Sequence, residues 1–332
     1  MEVRLLSADD VRRALPMAEA IAGMKAAYAQ LSAGQADMPL RSRVTVASQG
    51  TTLVMPAYLA GSDDLAVKIV SVFPGNSQRQ EPVIYALVLA LDAATGRPLA
   101  LLEGGTLTAI RTGAGAGAAT DVLARPDAAV VAIIGSGVQA RTQLEAVCTV
   151  RPIQGVRVYS PTRAHAEAFA ADMAGHGAGR GPIPAAIEVI ADADAAVRAA
   201  DIICAATTSA VPVFSGAALK PGAHVNAIGS YTLAMQEVDA ETIRRALVVV
   251  DSRAAALAEA GDLIIPLQAG VIHEGHIHAE LGEILNGRKP GRTDPDQITY
   301  FKSVGVAAQD AVAARLALRQ AIAQDLGTAV TL

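Results

Sequence analysis

The sequence predicts an α/β chain, with a doubly wound parallel sheet and a separate α+β domain, on three observations. Ala129-Val130-Val131-Ala132-Ile133-Ile134 is an apolar, β-branched run of strand length. It breaks into the G-x-G-x-x-A string Gly135-Ser136-Gly137-Val138-Gln139-Ala140 and then into a helical pattern over 141–147. Beyond it, strand and helix patterns alternate to about residue 251, the spacing of a doubly wound parallel sheet. Residues 40–110 differ in kind, because strand-like runs there follow one another with only turn residues between them. Strand and helix flanks are what make a glycine motif the fingerprint of a Rossmann-type, dinucleotide-binding sheet.

From the N-terminus, Ser7 is placed to cap a short first helix with Asp10 at its third position, and Pro16 opens a second. There Met17, Ala20, Ile21, Met24, Ala27, Tyr28 and Leu31 recur at helical spacing, and Gly34 ends the run. Strands are expected at 43–46, 51–55, 65–72 and 84–91. Turn residues over 92–98, including Gly96 and Pro98, then lead to a strand at 99–103. This is the pattern of an antiparallel meander. A helix of small residues over 106–123 precedes the glycine motif. After the motif, strands are expected at 156–159, 188–190, 202–205, 223–228 and 247–251, with helices at 164–173 and 193–199. The stretch 175–182, rich in glycine, reads as a flexible surface loop. Ser303-Val304-Gly305-Val306-Ala307-Ala308-Gln309-Asp310 opens a long Ala/Leu-rich helix, expected to return to the first domain.

At 332 residues the chain can hold two domains with their own cores. It is 52% hydrophobic and 18% charged, far from the composition of disordered chains. A net charge of −5 gives no electrostatic case for nucleic acid or an anionic membrane. No apolar run approaches the ~18 residues of a membrane span, and the N-terminal ten residues lack the apolar core of a signal peptide. A cytoplasmic location follows as the expectation. Cys148 and Cys204 fall in apolar elements and read as reduced core thiols.

In the glycine motif, Gly135 permits the tight turn, Gly137 lets backbone approach a pyrophosphate, and Ala140 allows close helix–strand packing. The pyrophosphate would sit on the N–H groups opening the next helix, at Ser136, Gly137, Val138 and Gln139. NAD binders place an acid after the second strand. Here the strand ends Val158-Tyr159 and runs into Ser160-Pro161-Thr162-Arg163. Two hydroxyls, Ser160 and Thr162, and the fork of Arg163 suit a 2′-phosphate, so NADP(H) is preferred over NAD(H). In the first domain, Lys68 lies in an apolar strand, Arg111 among tiny residues, and Arg41 and Arg43 flank a strand. An arginine fork suits a carboxylate, and a lysine of depressed pKa can protonate a nitrogen. Structural ion pairs account for the same residues, and spacing leaves both readings open.

Longer strings carry a resemblance. Pro39-Leu40-Arg41, Met55-Pro56-Ala57-Tyr58, Lys68 with Phe73-Pro74-Gly75-Asn76, and Leu107-Thr108-Ala109-Ile110-Arg111-Thr112 resemble the ornithine cyclodeaminase/mu-crystallin family. So do the glycine motif, the stretch from Lys220 to Gly229, Ala279-Glu280-Leu281-Gly282-Glu283 and Phe301-Lys302-Ser303-Val304-Gly305, in order from about residue 4 to 325. The resemblance implies a homodimer. Residues 1–113 with 306–332 would form a substrate-binding and dimerisation domain, and 114–305 the dinucleotide-binding domain. It implies that Arg41 and Arg111 bind a substrate carboxylate, that Lys68 lies beside the reacting nitrogen, and that Thr112, Thr207, Asn226 and Val304 lie near the cofactor.

One departure redirects the chemistry. Cyclodeaminases of this family carry an Asp two residues beyond the glycine matching Gly229, where this chain has Tyr231. A phenol with a pKa near 10 is a poor base at neutral pH. Tyr231 can donate a hydrogen bond or relay a proton to the substrate, or can simply line the pocket. Members resembling ketimine reductases also lack the Asp. The expected activity is therefore NAD(P)H-dependent reduction of a small cyclic imino acid such as Δ1-pyrroline-2-carboxylate, giving proline. Ornithine cyclodeamination, an alanine dehydrogenase-like reaction and a non-enzymatic cofactor binder are the alternatives. His273-Glu274-Gly275-His276-Ile277-His278 lacks the spacing of a zinc-binding helix, and no metal is expected. The family pattern puts it in a loop before a helix over 279–285.

Overall fold

The computed structural model describes every residue except Ser48, Gly179 and Arg180. The chain divides into two units, Met1–Arg111 with Val306–Leu332, and Thr112–Gly305. In chain order the first contributes β1 (Glu2–Leu6), α1 (Ala8–Ala14), α2 (Met17–Ser32), β2 (Ala36–Asp37), β3 (Ser42–Val46), β4 (Gly50–Leu59), β5 (Asp64–Val72), β6 (Ile84–Asp92) and β7 (Pro98–Glu103). Then α3 (Gly104–Leu123) runs on, with the boundary between units falling inside it. The second unit contains β8 (Val130–Ile134), α4 (Val138–Val150), β9 (Gly155–Tyr159), α5 (Arg163–Met173), β10 (Gly177–Ala178), β11 (Gly181–Pro182), β12 (Ile187–Val189), α6 (Ala193–Arg198), β13 (Ile202–Ala205) and β14 (His224–Ala227). It continues through α7 (Ala240–Arg245), β15 (Ala246–Val250), α8 (Arg253–Glu259), α9 (Gly261–Gln268), β16 (Ile277–Glu280), α10 (Leu281–Leu285) and β17 (Ile298–Lys302). Finally α11 (Ala307–Ala323) and β18 (Thr328–Thr331) return to the first unit.

In the first unit, Ser7 and Asp10 form a reciprocal capping box at α1, and α2 buries Met17, Ala20, Ile21, Met24, Ala27 and Tyr28 as its spacing predicts. The strands run β18-β1-β7-β6-β5-β4-β2, with β3 also on β4. From β3 to β7 they form the antiparallel meander, but β1 lies parallel to β7 and antiparallel to β18, so the sheet is mixed. Those short flanking strands leave too little alternation to be seen in sequence. One face, with Met55, Ala66, Val88, Ala90 and Leu102, is buried, and α11 packs along β4, β5 and β6 and against α2. The opposite face carries Ile69 and Leu87, which are register partners and each 47% exposed.

The second unit is a parallel sheet in the order β12-β9-β8-β13-β14-β17-β15-β16. Strand order reverses between β8 and β13, and in such sheets ligands bind beyond the carboxyl ends of the strands at that reversal. β8, β13 and β14 are almost wholly buried, as strands covered on both faces must be. Val131, Ile133, Ile202 and Phe169 pack on one side, and Ile134, Ile203, Val225 and Tyr300 on the other. The C-terminal end of α3 is held by arginines: Arg151 Nη2 donates to the carbonyls of Thr120, Asp121 and Ala124, and Arg292 Nε to that of Leu123. Cations at a helix C-terminus meet both its orphan carbonyls and its dipole.

Three expectations need correction. The stretch 175–182 contains the paired strands β10 and β11, and its residues 179 and 180 lie outside the described residues. The helix expected over 279–285 begins only at Leu281, because Ala279 and Glu280 complete β16. β17 escapes sequence reading because Thr299 and Lys302 interrupt it, yet all five of its residues are buried. Cys148 and Cys204 are buried free thiols, each pushed up to about 12 by desolvation. Among the described residues no helix is long and apolar enough to cross a membrane.

Candidate active site

In the first unit the alternation of β5 sends Lys68 to the helix-covered face, between Met55 on β4 and Val88 on β6. An ammonium 3% exposed among apolar neighbours needs a counter-charge. It comes from the first turn of α11, where Asp310 Oδ1 accepts from Lys68 Nζ at 3.2 Å. Arg111, on α3, donates through Nε to the same oxygen at 3.0 Å and through Nη1 to Gln309 Oε1 at 3.0 Å. Gln309 Oε1 also accepts the Val306 N–H that opens α11, and its Nε2 donates to Tyr28 Oη on α2 at 2.8 Å. Burial pushes the Lys68 ammonium down to about 8. Asp310 opposes that shift, while the charges of Arg111 and Arg41 add to it. Lys68 and Arg111 thus share the Asp310 carboxylate, with the charge of Arg41 felt at Lys68, and two cations on one carboxylate suit an anionic ligand.

In the second unit the glycine loop leaves β8 with Gly135 at φ +108°, a conformation that favours glycine. A Cβ there would meet Ala206 O at 2.5 Å, and the Gly135 N–H donates to Tyr159 O at 2.9 Å. Gly137 caps α4 without a side-chain hydrogen bond, and no heavy atom lies within 4 Å of where its Cβ would be. The first turn of α4 therefore opens on a space a side chain would fill, with uncapped N–H groups at its base. Val138 is 64% exposed there, and Gln139 Oε1 is buried with no hydrogen-bond partner among the described residues. Ser136 Oγ and Ser160 Oγ are 3.3 Å apart, which brings the glycine loop to the end of β9. Thr162 caps α5 without using its hydroxyl on the helix. These features fit the pyrophosphate and ribose of a dinucleotide.

Arg163 stands differently from the expectation. Its Nε pairs with Glu167 at 2.8 Å, one turn along α5, and its side chain is 69% exposed. Asn226 also departs: it is fully buried, with Nδ2 on Thr120 Oγ1 at 2.9 Å and Oδ1 3.2 Å from His224 Nε2. Its amide links β14 to α3. Thr112 is buried on α3. The Val304 N–H donates to Asp251 Oδ2, which also accepts from Ser303 Oγ and the Gly305 N–H.

Thr207 and Tyr231 belong to loops tied together by Glu237. Its carboxylate accepts from the N–H groups of Thr207 at 2.5 Å, Gly229 at 2.5 Å and Ser230 at 3.1 Å. Asp262 accepts from the Glu237 N–H, from Tyr300 Oη and from Lys302 Nζ. Burial raises the Glu237 pKa, and the Lys302 charge opposes it. Tyr231 projects from this loop and is 40% exposed. In the histidine string, His276 Nε2 meets Ile243 O and His278 Nε2 meets Pro290 O.

Sequence reasoning passed over Asp310, Gln309, Glu237 and Asp262. The first two carried a signal: Gln309-Asp310 is the polar break in an Ala/Val helix opening, and Lys68 needed an acid.

The model of the ornithine cyclodeaminase/mu-crystallin family matches residues 1–324. A Δ1-pyrroline-2-carboxylate reductase of Bacillus cereus is 41% identical over 328 residues, covering 98% of this chain and 99% of that one. The structure of Thermococcus litoralis Δ1-pyrroline-2-carboxylate reductase in complex with NADH and L-proline matches with a TM-score of 0.93 at 43% identity, over 98% of this chain and 99% of that one. An archaeal alanine dehydrogenase dimer with bound NAD matches with a TM-score of 0.92 at 32% identity, over the whole of both chains. Glycine cradle, parallel sheet and full-length similarity agree, and the chain belongs to the ornithine cyclodeaminase/mu-crystallin family.

Proposed function

We propose that the chain is an NAD(P)H-dependent reductase of cyclic ketimine acids, with Δ1-pyrroline-2-carboxylate as substrate and L-proline as product. The observation that carries this reading is the meeting of two buried cations, Lys68 and Arg111, on the single Asp310 carboxylate. It is supported by 41% and 43% identity to two proteins named for that reaction. Arg41 and Arg111 hold the substrate carboxylate, and Lys68 supplies a hydrogen bond and then a proton to the imine nitrogen. A reduced nicotinamide held at the glycine loop would supply hydride for the C=N carbon. The protein's share is orientation and charge. Residues 114–305 take the dinucleotide, through Gly135, Ser136, Gly137, Val138 and Gln139, with Ser160 and Thr162 at the ribose. Residues 1–113 with 306–332 take the substrate and pair with a second copy through the open sheet face of Ile69 and Leu87.

NADP(H) is the preferred coenzyme on this reading. No acid stands at 160–163, and the exposed Arg163–Glu167 pair is of a kind worth only ~0.5 kcal/mol, so a 2′-phosphate can displace Glu167 from the guanidinium. A panel with both coenzymes tests the whole proposal. Coenzyme oxidation with Δ1-pyrroline-2-carboxylate should greatly exceed ammonia release from ornithine, and NADPH should give the larger kcat/KM. Ornithine turnover as the faster reaction would overturn the function. The similarity to an alanine dehydrogenase favours a second reading, which ammonia-dependent turnover of pyruvate would support.

A further inference from the structure

We propose that Asp310 is the positioning residue of the substrate site: a single oxygen, Oδ1, orients the Arg111 guanidinium and keeps Lys68 charged. This rests on the reading of Lys68 and Arg111 given above. Both cations donate to that oxygen, at 3.2 Å from Lys68 Nζ and 3.0 Å from Arg111 Nε, and all three side chains are buried.

Among the described residues, the charged groups acting on Lys68 are Asp310 from α11, Arg111 from α3 and Arg41 from the stretch before β3, while its register partners on β4 and β6 are the apolar Met55 and Val88. Asp310 therefore works against desolvation and two positive charges. Its place in the first turn of α11 sets it at the positive end of a 17-residue helix, where a carboxylate is favoured. Gln309, one residue earlier, fixes the other side of the Arg111 fork and is itself fixed by Tyr28. Asp310 Oδ2 is buried and meets no donor among the described residues. A carboxylate kept for packing stability alone would have both oxygens satisfied. Asp310 acts on the substrate through the two cations, so its loss should alter protonation and carboxylate binding separately.

The test uses Asp310→Asn and Asp310→Glu in the full-length protein. Lys68 is followed by NMR of isotope-labelled lysine, its signal assigned with Lys68→Arg. In Asp310→Asn the Lys68 titration midpoint should fall by about one pH unit, with the alkaline limb of kcat/KM moving down alongside it. KM for Δ1-pyrroline-2-carboxylate should rise about tenfold, with NADPH affinity unchanged. Asp310→Glu retains the charge, so the midpoint should hold while KM still rises. If Asp310→Asn folds poorly, Asp310→Glu carries the test through the same two readouts. An unmoved midpoint in Asp310→Asn, or a midpoint lost in Asp310→Glu, overturns the proposal. The NMR titration needs no substrate, so a wild-type protein inert towards the imine counts against the proposed function and leaves the Asp310 result standing.

Discussion

Lys68 and Arg111 donate to the same atom, Asp310 Oδ1, at 3.2 and 3.0 Å. Two buried cations converge on one acceptor. Arg111 has five N–H donors and Lys68 three, more than Asp310 and Gln309 take up.

Arg111→Ala should raise KM for the imino acid by about a hundredfold, since a buried charge-assisted pair to a carboxylate is worth ~3 kcal/mol. Steady-state kinetics against substrate and coenzyme separately will show it. An unchanged substrate KM would remove Arg111 from the carboxylate clamp.

Burial lowers Lys68 to about 8, so the ammonium is lost as pH rises through that value. The pH profile of kcat/KM should bend down near pH 8, and Lys68→Met should abolish turnover. Stability runs the other way. The unfolded chain keeps this proton up to about its ordinary 10.5, so the folded state gains stability on this group's account between pH 8 and 10.5. Denaturant midpoints across that window will report it.

His224 is fully buried between Thr299 Oγ1 and Asn226 Oδ1, and desolvation lowers its pKa to about 3 from 6.5. Below pH 6.5 the unfolded chain takes up a proton that the folded chain refuses. Stability should therefore fall between pH 6.5 and 3, by on the order of 5 kcal/mol. His224→Gln should flatten that part of the Tm-against-pH curve.

Gly137 has open space where its Cβ would lie, and its extended φ of −77° is open to any residue. Gly137→Val should leave Tm within about 1 °C, since a surface substitution away from special features costs little. It should weaken coenzyme binding by about two orders of magnitude, because the side chain fills the space a pyrophosphate needs. Fluorescence titration with NADPH separates this from misfolding, and unaltered affinity would place the coenzyme elsewhere.

Ile69 and Leu87 face each other on the open side of the first unit's sheet, each 47% exposed. A lysine at both positions should convert a dimer to monomer in sedimentation experiments, since burying two ammonium groups in an apolar interface is prohibitive. A dimer that persists would move the interface to another face.

The elements read correctly from sequence were those with local signatures: the Ser7–Asp10 capping box, the meander strands and the glycine turn. β1, β17 and β18 were missed because each is short or interrupted, and pairing with distant neighbours makes it a strand. Lys68, Arg111 and Arg41 stood out as charges in apolar surroundings, so the substrate site was half legible. Its acid was not, since Asp310 lies 242 residues from Lys68.

By itself the sequence determined the parallel sheet, the glycine cradle and which cations needed an explanation, because periodicity, turn stereochemistry and charge are properties of neighbouring residues. The tertiary structure alone decided that Lys68 and Arg111 share Asp310, that Asn226 is an internal link, and that Arg163 rests on Glu167. Those depend on which surfaces folding brings into hydrogen-bond reach, and contacts between distant residues leave no periodic trace in the chain.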